Sequence, residues 1–279
     1  MKFSVTVFLT LVLFATNAIA FTGKRIDVLP DELNGPKVRS MVQELRSRAN
    51  YFIFLSGGAS KMSENARLQL IGLFDAFRLM AEREVSFTVA DGGTQAGIME
   101  AAGKARLLSG NAFSLLGISP GPEITTIGEP NKTAVDPNHS HLMAVFNPPW
   151  LEVQKEYGWE PSWGYWGSET KVMYEVFAKL AQDKPSVTIV ANGGGITLDE
   201  VSENIKQQRK MIVIKGSGRG ADAIVSLLEN TEPSDEEVKK RREKARKIGV
   251  LKNRELFTIF PISGGAERLA DIIGAKLSR

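Results

Sequence analysis

One pattern repeats from Tyr51 to Leu277 and limits what this chain can fold into. A short run of β-branched or aromatic residues is followed by a glycine cluster and then by helical spacing. Tyr51 to Leu55 runs into Ser56, Gly57 and Gly58, and Ser63 to Glu82 then reads as a helix. Ser86 to Ala90 runs into Asp91, Gly92 and Gly93, with Thr94 to Leu108 helical behind it. Strands are expected at Phe113 to Ile118 and Leu142 to Phe146, and a helix from Ser168 to Gln182. Val187 to Ala191, Met211 to Lys215 and Leu256 to Phe260 repeat the unit, with helices over Thr197 to Arg209, Gly220 to Leu228 and Ala266 to Leu277. Continuously apolar short strands are buried on both faces, and their alternation with helices makes a parallel sheet. The expected fold class is α/β: a Rossmann-like three-layer fold with a mainly parallel sheet and helices on both faces. Ligands of such sheets bind outside the carboxyl ends of the strands, where this chain places its glycines.

The first twenty residues stand apart. Lys2 supplies a positive start, Phe3 to Ala15 is almost wholly apolar, and Ala18 to Ala20 fits a small-x-small cleavage site. Residues 1–20 therefore read as a signal peptide, with an uncleaved N-terminal anchor as the alternative. The expected location is outside the cytoplasm, periplasmic or secreted. Residues 21–279 contain no divider of disordered composition and read as one domain. No further segment is apolar and long enough to span a bilayer. The absence of cysteine excludes disulfides, thiolate metal sites and a cysteine nucleophile. A net charge of +3 sets up no strong field for polyanions, so nucleic acid is not an expected partner. Self-association is left open.

Three glycine turns carry the chemistry. Asp91 to Gly97 (with Gly92, Gly93, Thr94 and Gln95) joins a strand to a helix. Glycine there lets backbone approach an anion, and a helix N-terminus offers free N–H groups and a positive dipole end. Asn192 to Thr197 repeats the design through Gly193, Gly194 and Gly195, with Thr197 placed to cap or to bond a phosphate and Glu200 one turn inside. Gly216, Ser217 and Gly218 precede Arg219, whose fork of donors suits phosphate or carboxylate. Tight structural turns are the alternative for any one of them; several at strand ends in one sheet point to an anionic ligand. No G-x-S-x-G elbow, Walker A sequence or H-E-x-x-H motif is present.

Three more segments stand out. Both histidines, His139 and His141, lie in Asp136 to His141, and an extended backbone there would point them to one side. Polar binding or hydrogen-bonded packing is favoured over a metal site, since no third ligand is near in sequence. All four tryptophans fall between Trp150 and Trp166, in a stretch broken by prolines and glycines. That long loop reads either as a lid that stacks a base or as a loop pinned by its own aromatics. Glu232 to Lys252 reads as a charged, inserted helix with a capping box from Ser234 to Glu237 and i,i+4 pairs Glu236–Lys240 and Glu237–Arg241. Its run Lys239 to Arg242 is expected on a solvated face.

The segment Val135 to Leu142 resembles the DPNHSHF signature in the cytosolic N-terminal region of melastatin-type TRP channels. Phe52 to Gly58 is similar to that region's opening strand and glycine pair. Trp166 to Glu169 resembles its Tyr-Gly-x-Glu segment, Asn192 to Leu198 its EGGPGTL turn, and Lys215 to Asp222 its EGSGRxAD stretch. The order is kept from about residue 50 to 230, and the chain is identified as a member of the LSDAT branch of the SLOG superfamily. Asp91 to Gly103 also resembles the GGGxxGxM segment of LONELY GUY-type phosphoribohydrolases. The resemblance implies a sensor for ADP-ribose or a related NAD-derived nucleotide, needing no cofactor. It implies a pocket lined by Gly92 to Gly97, Gly193 to Thr197, Glu200, Gly218 and Arg219, with Asn138 and Glu169 nearby. Two departures matter. Ile196 stands where relatives have glycine, and Met173 and Tyr174 stand where the channels carry basic residues. The hydrolase pattern keeps Thr197 and Glu200 but lacks its upstream R-x-x-K. An N-glycosidic hydrolase using Glu200 is therefore the alternative function, and an exported protein that binds a partner through the tryptophan loop is the second.

Overall fold

The computed structural model describes residues 20–58, 61–146 and 166–278. Residues 1–19 of the leader and most of the tryptophan loop lie outside the described residues. Eight parallel strands form the main sheet: β1 (Lys24–Val28), β2 (Tyr51–Gly57), β3 (Phe87–Asp91), β4 (Ser114–Pro120), β7 (His141–Val145), β8 (Ser186–Ala191), β9 (Lys210–Lys215) and β10 (Phe257–Pro261). A two-stranded pair, β5 (Ile124–Thr125) with β6 (Thr133–Ala134), sits apart from it. The order across the sheet is β1-β7-β4-β3-β2-β8-β9-β10. The chain thus runs outward from β2 through β3 and β4, then returns to lay β8 against the other side of β2. That reversal opens a crevice between the carboxyl ends of β2 and β8.

Side chains alternate across each strand, and the two faces bury different cores. Phe52 and Phe54 of β2 pack with α1 (Pro36–Ser47) and α5 (Thr170–Ala181). Ile53 and Leu55 pack with α2 (Glu64–Leu73), α3 (Asp75–Glu82), α4 (Gly97–Leu108) and α9 (Ala266–Leu277). Beyond β8, α6 (Gly195–Lys206), α7 (Arg219–Leu228) and α8 (Glu236–Lys247) close over Val190, Met211 and Val213. Both faces are covered, as continuous apolar strands require. Among the described residues no helix is long and apolar enough to cross a membrane.

Four local expectations change. The single helix over Ser63 to Glu82 is two, broken at Phe74. Gly72 weakens the last turn of α2, and the bend lets Phe74 and Phe77 both enter the core with rings 4.9 Å apart. The helix expected from Thr94 begins at Gly97, because Thr94 bridges Val135 and the Gln95 N–H donates to Ala134 O at 2.8 Å. Asp235, not Ser234, caps α8, accepting from the N–H groups of Glu237 and Val238. Glu236 pairs with Lys239 at i+3 rather than with Lys240, while the Glu237–Arg241 pair forms at 2.7 Å.

Candidate functional site

A cleft of about 620 Å³ lies at the crevice between β2 and β8. Its floor is the end of β2 and the turn after β8. Gly57, Gly58, Gly194 and Gly195 line it; a Cβ on Gly57 or Gly58 would strike the β8 turn at Ala191 or Asn192, so glycine there lets the two strand ends approach closely. Gly193, one residue earlier, holds φ at +93°, and a Cβ there would strike Thr197. Helix α6 opens at Gly194 with no side chain capping it. Its first-turn N–H groups have no acceptor within the helix and face a site where Ile196 and Thr197 form the wall. Arg219 leans over this turn, its Nη2 3.2 Å from where a Gly194 Cβ would stand. A helix terminus with a guanidinium beside it is a place for an anion.

The other two glycine turns do different work. At Gly216 to Gly218, the Asp222 carboxylate accepts the N–H of Gly216 at 2.7 Å and of Gly218 at 3.1 Å. Ser217 Oγ accepts the Asn192 N–H at 2.8 Å, and the N–H groups of Gly220 and Ala221 donate to the carbonyls of Gly193 and Asn192. The first two donors are spent inside the segment and the last two on bracing the β8 turn, and only Arg219 from this segment reaches the cleft. At Asp91 to Gly97, the Asp91 carboxylate accepts the Gly93 N–H at 2.7 Å. Gly92 and Thr94 line the cleft, but Gly93, Gln95 and Gly97 do not.

Two buried carboxyl groups also line the cleft. Glu200, on α6, accepts a hydrogen bond from Ser56 Oγ at the end of β2, which ties the two sides of the crevice together. Burial raises its pKa to about 8, with the neighbouring Glu169 adding to the rise. Glu169, at the start of α5, is likewise lifted by burial to about 7. One of its carboxyl oxygens is buried without a hydrogen-bond partner among the described residues. Around them stand Met99, Trp166 and Met173. Trp166 brings one of the four tryptophans to the cleft wall; Trp150, Trp159 and Trp163 lie outside the described residues.

The histidines separate. The backbone turns at Asp136, whose carbonyl accepts the His139 N–H at 3.3 Å, so the extended geometry assumed for the pair does not form. His139 is held between Asp91 (2.8 Å from Nε2) and Asp136 (3.3 Å from Nδ1). Burial pulls this imidazole down, yet the two carboxylates outweigh it and lift it to about 9, so both ring nitrogens donate. His141 instead meets Ser140 and Glu44, and burial lowers its pKa. Asn138 does not line the cleft; its carbonyl accepts a hydrogen bond from Arg106 at 2.7 Å.

Sequence reasoning missed the α8 wall. Lys61, Glu237, Lys240 and Arg241 all line the cleft, although the basic run was expected to face solvent. The overlooked signal is spacing. Lys244 sits on the same helical stripe, and it binds Gly195 O at 3.1 Å and Asp199 at 2.7 Å, fastening that stripe to the first turn of α6.

A family model described as SLOG in TRPM, prokaryote, matches residues 51–270, from the first residue of β2 into α9. Among curated proteins none matches the chain.

Proposed function

The chain belongs to the prokaryotic branch of the SLOG-in-TRPM family, and on that premise we propose that its cleft binds a nucleotide of the ADP-ribose or NAD-derived class as a sensor. The observation that carries this is the polarity of the cleft. Its lining combines an uncapped helix N-terminus and Arg219 with two buried carboxyl groups, Trp166 and two methionines. A phosphate suits the first group. The second group supplies acceptors for ribose hydroxyls and apolar faces for a base. The test is thermal unfolding of the full chain with ADP-ribose, NAD, AMP, ATP and cyclic nucleotides. A ligand at about 100 times its dissociation constant adds roughly 2.7 kcal/mol of stability. A selective rise with one nucleotide supports the reading; no rise with any of them overturns it.

A second reading is favoured by one observation, the pair Glu169 and Glu200, both raised toward neutrality in the same cleft. Such a pair suits acid–base hydrolysis of an N-glycosidic bond. Release of free base from a nucleotide, abolished by Glu200→Gln, supports it. Binding without release leaves the sensor reading alone. Export through residues 1–20 is likewise proposed, and a mature N-terminus at Phe21 is the expected result of terminal sequencing.

A further inference from the structure

Beside the helix terminus the cleft holds a second concentration of positive charge. Lys244 fastens one stripe of α8 to the first turn of α6, and Glu237, Lys240 and Arg241 occupy the preceding turns of that stripe. Lys61 and Arg219 line the same cleft, and the charges of Arg241, Lys61 and Arg219 all act on Glu237. Four cations and one acid thus share this stretch of lining. The Glu237 carboxylate lies 2.7 Å from Arg241 Nη1 and 3.9 Å from Arg219 Nε. Both guanidinium side chains are largely buried, 14% and 15% exposed, while the Glu237 side chain is 49% exposed. Arg241 also keeps its Nε buried without a hydrogen-bond partner among the described residues. Buried cations need anionic partners, and the single acid supplied is the one most easily turned out to solvent.

We propose that Lys61, Arg219, Lys240 and Arg241 form a second anion subsite, next to the Gly194 turn, that takes the outer phosphate of a diphosphate, and that Glu237 occupies this subsite until the ligand displaces it. The inference rests on the nucleotide reading and narrows its ligand to those carrying two linked phosphates. The inner phosphate meets the N–H groups of α6, and Arg219 reaches both subsites, since it contacts the Gly194 turn and faces Glu237. A phosphate offers more acceptor oxygens than a carboxylate and matches the guanidinium fork, so the exchange satisfies donors that Glu237 leaves open. The Arg241 charge, foremost, holds the Glu237 carboxyl below its ordinary range, so it competes as an anion.

The experiment is calorimetric titration of the full chain with AMP and with ADP. The parent is expected to prefer ADP by about tenfold or more. Arg241→Ala and Lys240→Ala should erase most of that preference and leave AMP affinity within about twofold. Glu237→Gln removes the competitor while keeping the side chain's size, and should tighten ADP about three- to tenfold. Equal weakening of AMP and ADP in the alanine variants overturns the proposal, as does a Glu237→Gln variant whose ADP affinity is unchanged or lower. If no nucleotide binds, the nucleotide reading fails separately, and inorganic pyrophosphate against inorganic phosphate in thermal unfolding decides the subsite. Extra protection by pyrophosphate that Lys240→Ala and Arg241→Ala abolish supports it; equal protection in parent and variants overturns it.

Discussion

The turns at Asn192 to Thr197 and at Gly216 to Arg219 are built from the same letters and do opposite jobs. Each follows a buried strand, holds at least one glycine at positive φ and opens a helix. They differ in where an acid near the start of the helix sends its carboxylate. Asp222 of α7 folds back onto the N–H groups of Gly216 and Gly218 and closes its own turn. Glu200 of α6 crosses to Ser56 of β2 and leaves its turn open. A glycine turn binds a ligand only if its donors are unspent, and a single acid within reach decides that.

Four substitutions break or sharpen the contrast. The largest effect is expected at Glu200, whose raised pKa means that the folded chain holds a proton the unfolded chain has released. Its contribution is favourable below the unfolded value of 4.5 and is lost as pH rises toward about 8. Glu200→Gln should remove that loss, making the variant more stable than the parent at alkaline pH by a few kcal/mol, on the order of the shift itself. Chemical unfolding across pH measures this; parallel profiles for parent and variant would refute the buried-acid assignment. His139 contributes a separate decline between 6.5 and about 9, present in both proteins.

Next is Gly194→Val, where a side chain meets the Arg219 guanidinium and covers the open turn. Nucleotide affinity should fall about 100-fold with little change in unfolding temperature. Asp222→Ala should do the reverse, costing about 1–3 kcal/mol of stability because the amides of the closed turn lose their acceptor, with affinity kept within about twofold. Equal losses of affinity in these two variants would show that the turns are equivalent. The smallest effect is expected from Arg219→Ala, about a tenfold loss of affinity, since the N–H groups of α6 remain.

The turn before α4 adds a third outcome. Asp91 serves as its internal acid, but it also grips His139 from the loop before β7, so the closure is held from outside the unit. Asp136 and His139 belong to the segment that makes the chain recognisable, and their work is to lock a buried turn rather than to touch the cleft. A Cβ on Gly103 of α4 would collide with the Asp136 carboxylate, so the helix presses against the same lock. The hydrogen-bonded packing expected of His139 and His141 is what forms, but on different elements: their partners are Asp91 on β3 and Glu44 on α1.

What the amino-acid order determined by itself is what local spacing can encode. The apolar runs set the strands, their continuity set burial on both faces, and the glycine clusters marked the carboxyl ends where a site would open. Thr197, Glu200 and Arg219 were legible because they lie in or beside those clusters, Glu169 only through the resemblance of Trp166 to Glu169, and all four line the cleft. Asp222 and Asp91 spend donors inside their own turns, but tertiary structure alone decided how the turns brace one another, because Ser217 accepts the Asn192 N–H only once β8 and β9 lie side by side. It alone also brought α8 over the cleft. A run of basic residues on a helix has no preferred face until one of them, here Lys244, finds an anchor elsewhere in the fold, and that contact turns Lys240 and Arg241 inward.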